Sequence, residues 1–250
     1  MRVAVVISSW VGHPSKYLLA LCESIARHPP GAGHDLFLCA NGLDYSPPGE
    51  LVPLFSEIFI RENTGYNLGA WDHAWRQLPG YERFLFLQDD CLVKRPRWLR
   101  DFILRFDSTP ACGLVGEHLI RAWDRPWSEL TDPRAPRSRR GHSSEQSALA
   151  NFYSETLARW GIPEGPTARA LTAVVHFTSR SILEEVGGYN LGRTYQEAIA
   201  AEIGFSRKIE ARGYSLVQIG RQRHSRIGHP QWNRQGFFAR LRRSVRKRFS

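Results

Sequence analysis

Hydrophobic and polar positions fall into blocks along the chain, and these blocks predict alternating strands and helices. Short apolar runs bounded by polar residues are typical of strands that are buried on both faces. The clearest are the run within residues 2–8 and FLFL at residues 84–87. Residues 17–27 instead repeat apolar side chains at helical spacing, and Pro29 and Pro30 end that predicted helix.

The order of the blocks predicts an α/β protein. Over residues 2–61 the order is strand, helix, strand, helix, strand, which predicts parallel strands joined by right-handed crossovers. Later strands are predicted at residues 84–87, 112–115, 172–178 and 214–219. Later helices are predicted at residues 70–78, 98–106, 145–160, 180–186 and 196–212.

Two segments between these elements are predicted to be loops. In ENTGYNLG at residues 62–69, Asn and Gly alternate with other residues. Both residue types tolerate positive φ, so this backbone can approach a ligand closely, and the helix that follows would offer its N–H groups to an anion. Residues 121–144 contain three prolines, several arginines and few aliphatic residues, which predicts a mobile surface loop.

Two adjacent carboxylates, Asp89 and Asp90, follow the apolar run at residues 84–87. They repel each other and lose hydration at the end of a buried strand, and a divalent cation resolves both problems because hard cations take oxygen ligands. Open parallel sheets also bind their ligands at this end of the strands. The sequence therefore favours metal or substrate binding here, and the alternative is that the two residues only cap a turn.

The net charge of +10 is concentrated at the C-terminus. Residues 221–250 contain ten Lys and Arg and no acidic residue, so the rest of the chain is balanced at 24 of each sign. From residue 235 the apolar side chains fall near one helical face, which predicts a basic amphipathic helix suited to an anionic membrane surface. Nucleic acid is not an expected partner, because the body of the chain is neutral.

Cysteine usage and hydropathy point to a cytoplasmic protein, with peripheral attachment to the inner face of the membrane as a further expectation. The four cysteines are far apart and match no zinc spacing, which favours reduced thiols. No apolar run approaches the ~18 residues of a membrane span, and the first ten residues run straight into patterned sequence without a signal peptide.

Taken in order, these pieces over residues 2–229 resemble the GT-A-fold glycosyltransferases, in particular the family-two group that uses nucleotide-sugar donors. FLCANG resembles that family's second strand, with Ala40 in place of the acid that often reads the nucleobase. ENTGYNLGAWDHAW resembles the loop and helix that approach the donor, and FLFLQDDC resembles the DxD motif with Gln88 as its first residue. GGYN and AAEIGFSRKIEARGYSL resemble a turn of that family and the helix that carries the carboxylate serving as catalytic base.

The resemblance implies a role for each matching residue. Asp90 would bind Mn²⁺ or Mg²⁺ with a downstream histidine, for which His229 is slightly preferred over His224. Glu202 would be the catalytic base of an inverting transfer, with Glu197 on the same predicted helix as the fallback. The implied donor-binding residues are Ser8, Asn41, Asn63, Gly65, Asn67, Asp72 and Asp89.

The resemblance also implies the architecture and the reaction. The fold class is α/β, a GT-A-like, Rossmann-related mixed sheet with helices on both faces. One catalytic domain spans residues 1–230, with a nucleotide-sugar half at 1–100 and an acceptor half at 101–230, and a basic tail follows at 231–250. The reaction moves a sugar from a nucleotide-sugar to a hydroxyl of a glycan or lipid-linked glycan, as in polysaccharide biosynthesis.

Two other functions fit parts of the sequence. A sugar-phosphate nucleotidyltransferase shares the sheet architecture, but the loop after the first strand lacks the Gly-rich, Arg- and Lys-bearing sequence that cradles a triphosphate. A non-catalytic module could bind a membrane or a nucleic acid through the basic tail alone.

Overall fold

A computed structural model describes residues 1–132 and 144–230 of the chain. The predicted tail helix lies outside the described residues, as does the 133–143 part of the predicted surface loop. Among the helices in the described ranges, none is long and apolar enough to cross a membrane.

Strands and helices alternate along the described chain. The strands are β1 (Val3–Trp10), β2 (Asp35–Asn41), β3 (Glu57–Arg61), β4 (Arg83–Gln88), β5 (Leu92–Val93), β6 (Cys112–Gly116), β7 (Val175–Ser179), β8 (Ser215–Gln218) and β9 (Ile227–Gly228). The α-helices are α1 (Lys16–Arg27), α2 (Tyr66–Gln77), α3 (Trp98–Ser108), α4 (Trp127–Thr131), α5 (Ser144–Arg159), α6 (Arg180–Val186) and α7 (Tyr195–Ala211). Two 3₁₀ helices span Gly49–Leu54 and Arg121–Trp123.

The strands form a mixed sheet. The order in the large sheet is β3-β2-β1-β4-β7-β6-β8, and β5 pairs with β9 in a separate ribbon. β1 is parallel to β2 and β4, and β2 is parallel to β3. β7 is antiparallel to β4 and β6, whereas β6 and β8 are parallel. The mixed α/β sheet expected from the sequence is confirmed.

Helices cover both faces of this sheet. Phe86 of β4 lies opposite His176 of β7, and Trp71 of α2 packs on both rings at centroid distances of 5.4 Å. Phe177 is the next residue along β7, so its side chain points to the other face. There its ring contacts Phe106 of α3 at 5.6 Å. The central strands are therefore buried on both sides, as their continuous apolar sequence predicts.

The carboxyl ends of four parallel strands meet at one edge of the sheet. Ser8 of β1 lies opposite Gln88 of β4, Trp10 lies opposite Asn41 of β2, and Asn41 lies opposite Arg61 of β3. Every residue that directly follows β1, β2, β3 or β4 is therefore delivered to this edge. It is the edge at which open α/β sheets bind their ligands.

The structure corrects the local prediction in three places. α2 begins at Tyr66 and not at residue 70, because Gly65 adopts a left-handed φ of 78° and turns the chain into the helix early. The short strands β5 and β9 have no counterpart in the prediction. The predicted loop contains a 3₁₀ helix and α4, whose buried Trp127 and Leu130 join a second apolar cluster with α5 and α7.

A carboxylate of α2 fixes the turn that precedes α7. Oδ1 of Asp72 accepts hydrogen bonds from the Trp75 indole at 3.0 Å and from the backbone N–H of Tyr189 at 2.9 Å. Gly188 passes so close that a Cβ added there would lie 2.2 Å from the same oxygen. The neighbouring Gly187 has a similar left-handed φ of 71°, but an added Cβ there would meet nothing within 4 Å.

Gly188→Ala is expected to lower the free energy of unfolding by about 1–3 kcal/mol more than Gly187→Ala, as measured by urea denaturation. Both substitutions place a Cβ on a left-handed backbone, so Gly187→Ala controls for that strain. Only Gly188→Ala must also displace the Asp72 carboxylate. Equal losses in the two variants would contradict the close approach of this turn to α2.

Candidate active site

A cleft of about 310 Å³ opens at the carboxyl edge of the parallel strands. It is formed by the loop after β1, the end of β2, the start of α2 and the end of β4. The lining residues are Ser8, Ser9, Trp10, His13, Asn41, Asn63, Tyr66, Asn67, Gln88, Asp89 and Asp90.

Asp89 joins β4 to the loop after β1. Its Oδ2 accepts a hydrogen bond from the Ser9 hydroxyl at 2.7 Å, and its Oδ1 lies 2.8 Å from Nδ1 of His13. The His13 ring stacks on Tyr17 at a centroid distance of 4.5 Å. Burial raises the pKa of Asp89, and the contacts with Ser9 and His13 oppose that shift. Both carboxylate oxygens therefore have protein partners, and they order the cleft wall.

Asp90 lies against a histidine from the far end of the described chain. Its Oδ2 is 2.9 Å from Nε2 of His229, and both side chains are largely buried. Within the described residues, Oδ1 of Asp90 and Nδ1 of His229 are buried without a hydrogen-bond partner. A buried carboxylate oxygen with no partner is costly, so the pair has the character of an incomplete ligand set.

The ribbon of β5 and β9 brings His229 to Asp90. The chain turns after Asp90 into β5, where Leu92 pairs with Gly228 of β9 in antiparallel register. His229 directly follows that pair. A two-residue strand carries no periodic pattern, so the expectation that His229 meets Asp90 came from the family resemblance and not from any strand pattern.

His224 does not reach the Asp90 carboxylate. Its buried ring lies 5.8 Å from the His118 ring, and the residue does not line the cleft. Burial lowers the pKa of His224 to about 4, and the neighbouring His118 and His229 add to the shift. The structure thus brings one of the two candidate histidines to Asp90.

Gln88, which stands where the resembling family has an acid, has a structural partner. Its Nε2 donates to the carbonyl of Ala173 at 2.7 Å, and Nδ2 of Asn67 donates to the same carbonyl at 2.6 Å. A carboxylate at residue 88 would face a carbonyl oxygen and be repelled by it. The two amides tie the ends of β4 and α2 to the residues that lead into β7.

Glu202 contacts Ala173, the residue whose carbonyl accepts hydrogen bonds from Gln88 and Asn67. Its Oε2 accepts a hydrogen bond from the backbone N–H of Ala173 at 2.6 Å, but Glu202 is not among the lining residues. Burial raises the pKa of Glu202 to about 7, and the bond from Ala173 only partly offsets the shift. A carboxyl with a pKa near neutrality can both accept and release a proton.

Glu197, the fallback for the base, caps a helix. Its Oε2 accepts from the backbone N–H of Arg193 at 2.8 Å, while its own N–H donates to the Thr194 hydroxyl at 3.2 Å. Its Oε1 accepts from Arg159 at 2.6 Å. Thr194 caps α7 as in a capping box, but Glu197 bonds the N–H of Arg193, one residue before the cap, and both of its oxygens are occupied.

The structure divides the remaining predicted donor-binding residues into two groups. Ser8, Asn41, Asn63 and Asn67 line the cleft, whereas Gly65 and Asp72 do not. Gly65 only starts α2, and Asp72 holds the turn before α7 as described above. Asn41 lines the cleft with its amide occupied, because it accepts from Arg61 at 2.5 Å and donates to the Tyr66 carbonyl at 2.8 Å.

The lining also contains Ser9, His13 and two aromatic residues that the prediction did not include. Trp10 is 47% exposed and Tyr66 is 37% exposed. Tyr66 has a left-handed φ of 55°, which is uncommon for an aromatic residue and is frequent at functional sites. Exposed aromatic rings in a cleft suit the stacking of a planar base or the face of a sugar. The available signal for Trp10 was an aromatic residue just beyond the carboxyl end of the strand predicted at residues 2–8.

The Asp90–His229 pair fits a divalent cation that is shared with a substrate. Among the described residues, no group of three or more His, Cys, Asp or Glu side chains is placed to hold a metal ion. A two-residue set is nevertheless the usual protein share where Mg²⁺ or Mn²⁺ also binds substrate phosphates. The buried, unpartnered Oδ1 of Asp90 is the observation that supports this fit.

Comparisons with known proteins bear on the fold. No protein-family profile and no curated protein matches the sequence. Among solved structures, this chain is similar to the mannosyltransferase PcManGT from Pyrobaculum calidifontis, which was solved in complex with GDP-Man and Mn²⁺. The TM-score is 0.50 and the identity is 15%, over 86% of this chain and 53% of that chain. The bifunctional glycosyltransferase WbbM matches with a TM-score of 0.42 and 15% identity over 86% and 38% of the two chains.

The likeness to the mannosyltransferase shows the fold. This chain has the GT-A-like fold that the sequence motifs led us to expect, and its cleft lies at the carboxyl ends of the parallel strands. The chain spans about half the length of that mannosyltransferase.

Glu202→Gln is expected to remove a pH dependence from the stability. The folded-state pKa of about 7 lies above the ordinary value of 4.5, so the folded protein binds more protons than the unfolded chain between these values. The stability that Glu202 contributes is therefore present at low pH and is lost as pH rises from about 4.5 to 7. Relative to the wild type, the variant should gain about 1–3 kcal/mol between pH 5 and pH 8 in urea denaturation. A difference that is constant with pH would contradict the burial of this carboxyl.

Proposed function

We propose that this protein is a glycosyltransferase that moves a sugar from a nucleotide-sugar donor to a hydroxyl acceptor with the help of a divalent cation. The observation that carries the proposal is the Asp90–His229 pair, with its unpartnered carboxylate oxygen, at the nucleotide-binding edge of a GT-A-like sheet. The mannosyltransferase that shares this fold was solved with GDP-Man and Mn²⁺.

The lining residues support binding of the donor in the cleft. Trp10 and Tyr66 offer exposed rings to the nucleobase or the sugar. Asp89 keeps the Ser9–His13 loop in place against β4, so that His13 faces the bound donor. Asp90 and His229 would hold the cation, which when bound neutralises charge on the departing diphosphate.

Glu202 is proposed as the base that accepts the proton of the attacking hydroxyl. Its raised pKa of about 7 suits a group that must take up a proton at neutral pH. Its partner Ala173 is bonded from the other side by Gln88 and Asn67, which line the donor cleft. Attack from the side of Glu202, opposite the leaving diphosphate, would invert the anomeric centre.

The acceptor is proposed to be a glycan or a lipid-linked glycan at a membrane surface on the cytoplasmic side. The support is the charge of residues 221–250, which contain ten basic residues and no acidic one. An anionic membrane would attract such a segment and hold the enzyme near a lipid-linked acceptor.

A panel of nucleotide-sugars with Mn²⁺ tests the reaction. One donor is expected to be hydrolysed slowly to its nucleoside diphosphate, because water replaces the acceptor. Asp90→Asn should lower this rate by about 100-fold or more by weakening the cation site. Asp44→Asn, an exposed carboxylate outside the cleft lining, is the matched control and should retain the rate. Release of pyrophosphate from sugar phosphate and a nucleoside triphosphate would instead identify a nucleotidyltransferase.

Glu202→Gln is expected to lower kcat for transfer by about 10²–10⁴-fold and to leave the KM for the donor nearly unchanged. Gln can still accept the Ala173 hydrogen bond but cannot take up the proton. Glu197→Gln, on the same helix, is the control and should keep kcat. Loss of kcat in Glu197→Gln with normal turnover in Glu202→Gln would reverse the assignment of the base.

A further inference from the structure

Glu117 is a buried carboxylate outside the cleft that the proposed reaction does not use. It directly follows β6 and is 1% exposed. Its Oε2 accepts the backbone N–H of Ser225 at 2.6 Å, and its Oε1 accepts those of Arg226 at 2.8 Å and Ile227 at 2.6 Å. The carbonyl of Glu117 also accepts the N–H of His224 at 3.2 Å. Four consecutive backbone N–H groups therefore donate to one residue.

The segment bound by Glu117 is the one that delivers His229. Ile227 is the last of the four donors and also the first residue of β9, so His229 stands two positions beyond it. His224, the first of the four, has a left-handed φ of 55° that turns the chain around the carboxylate. The conformation of residues 224–227 is thus fixed where the chain approaches Asp90.

Other contacts also hold this segment, and the Ile227 side chain is buried in the hydrophobic core. β9 pairs with β5 over two residues only, and Lys94 adds backbone contacts at 2.9 Å to Arg226 and, through Nζ, to His224. Arg226 also forms an ion pair with Asp101. A two-residue pairing sets register weakly, whereas hydrogen bonds from N–H groups to an ionised carboxylate are short, directional and strong. Burial raises the pKa of Glu117, and the three backbone donors oppose that shift by stabilising the charged form.

We propose that Glu117 is a positioning residue for the cation site: its buried carboxylate fixes residues 224–227 so that the His229 imidazole meets Asp90. The inference rests on the proposed role of Asp90 and His229 in holding a divalent cation. Glu117 touches neither the cleft nor the Asp90 carboxylate, so it acts through the backbone that it binds.

Glu117→Gln keeps the shape of the side chain but turns an amide toward at least one backbone N–H. The variant should therefore release part of the 224–227 segment and misplace His229. A matched control is Glu210→Gln, which removes another largely buried carboxylate, one that pairs with Arg169 and Arg207. A general loss of stability would affect both variants, whereas misplacement of His229 would affect only the first.

The experiment measures the Kd for Mn²⁺ alone by electron paramagnetic resonance of the free ion, in the full chain without nucleotide. His229→Ala and Glu117→Gln are each expected to raise Kd by about tenfold or more, as outer contacts of metal ligands typically do. The double variant should lose no more than His229→Ala alone, because Glu117 acts through His229. Glu210→Gln should keep the wild-type Kd.

The outcomes separate this inference from the proposed function. A wild-type Kd in Glu117→Gln, with His229→Ala still weakened, would overturn the inference alone, as would losses that multiply in the double variant. Equal Kd values in the wild type and His229→Ala would remove the proposed cation site, and the inference with it. If Glu117→Gln does not fold, hydrogen exchange in the unaltered protein decides. The amides of residues 225–227 should be strongly protected without metal, and exchange at the rate of an unstructured peptide would overturn the proposal.

Discussion

The contact between Asp90 and His229 joins the end of a central strand to the far end of the described chain. Asp90 follows a central strand that is buried on both faces, so the sheet fixes its position. His229 belongs to a segment that is anchored in the core by Ile227 and held in register by a two-residue ribbon and by the carboxylate of Glu117. Both side chains are buried, and Oδ1 of Asp90 has no hydrogen-bond partner in the part of the chain that the structure describes. The chemistry available at this edge of the sheet therefore depends on the contact between Asp90 and His229.

A second junction, at Ala173, connects the cleft to the proposed base Glu202. Asn67 and Gln88 hold the carbonyl of Ala173 from the cleft side, and its N–H is held by Glu202. Residue 88 must donate a hydrogen bond to the Ala173 carbonyl. This explains why Gln88 stands where the resembling family has an acid. A displacement of Asn67 or Gln88 would therefore be transmitted to Glu202 through the backbone of Ala173. The site is built from amides and backbone groups around a small number of carboxylates.

The sequence was sufficient for the sheet and for the edge at which the cleft lies. Apolar runs such as residues 84–87 mark buried strands, and polar residues that follow them must meet at one edge. It was insufficient for contacts between distant residues. Asp72 sits in the motif that resembles a donor-binding helix, yet its partner is the backbone of Tyr189. No sequence pattern indicated the contacts of Glu117. Its partners are backbone N–H groups more than a hundred residues away, and such groups leave no pattern among the side chains.

The central claim is that Asp90 and His229 hold a cation against the diphosphate of the donor. Electron–nuclear double resonance of bound Mn²⁺, with a nucleoside diphosphate present, tests this most directly. The account predicts a ¹⁴N coupling that disappears in His229→Ala, together with ³¹P couplings from the diphosphate. A spectrum of bound Mn²⁺ that shows ³¹P couplings but no ¹⁴N coupling sensitive to His229, or neither coupling, would contradict it.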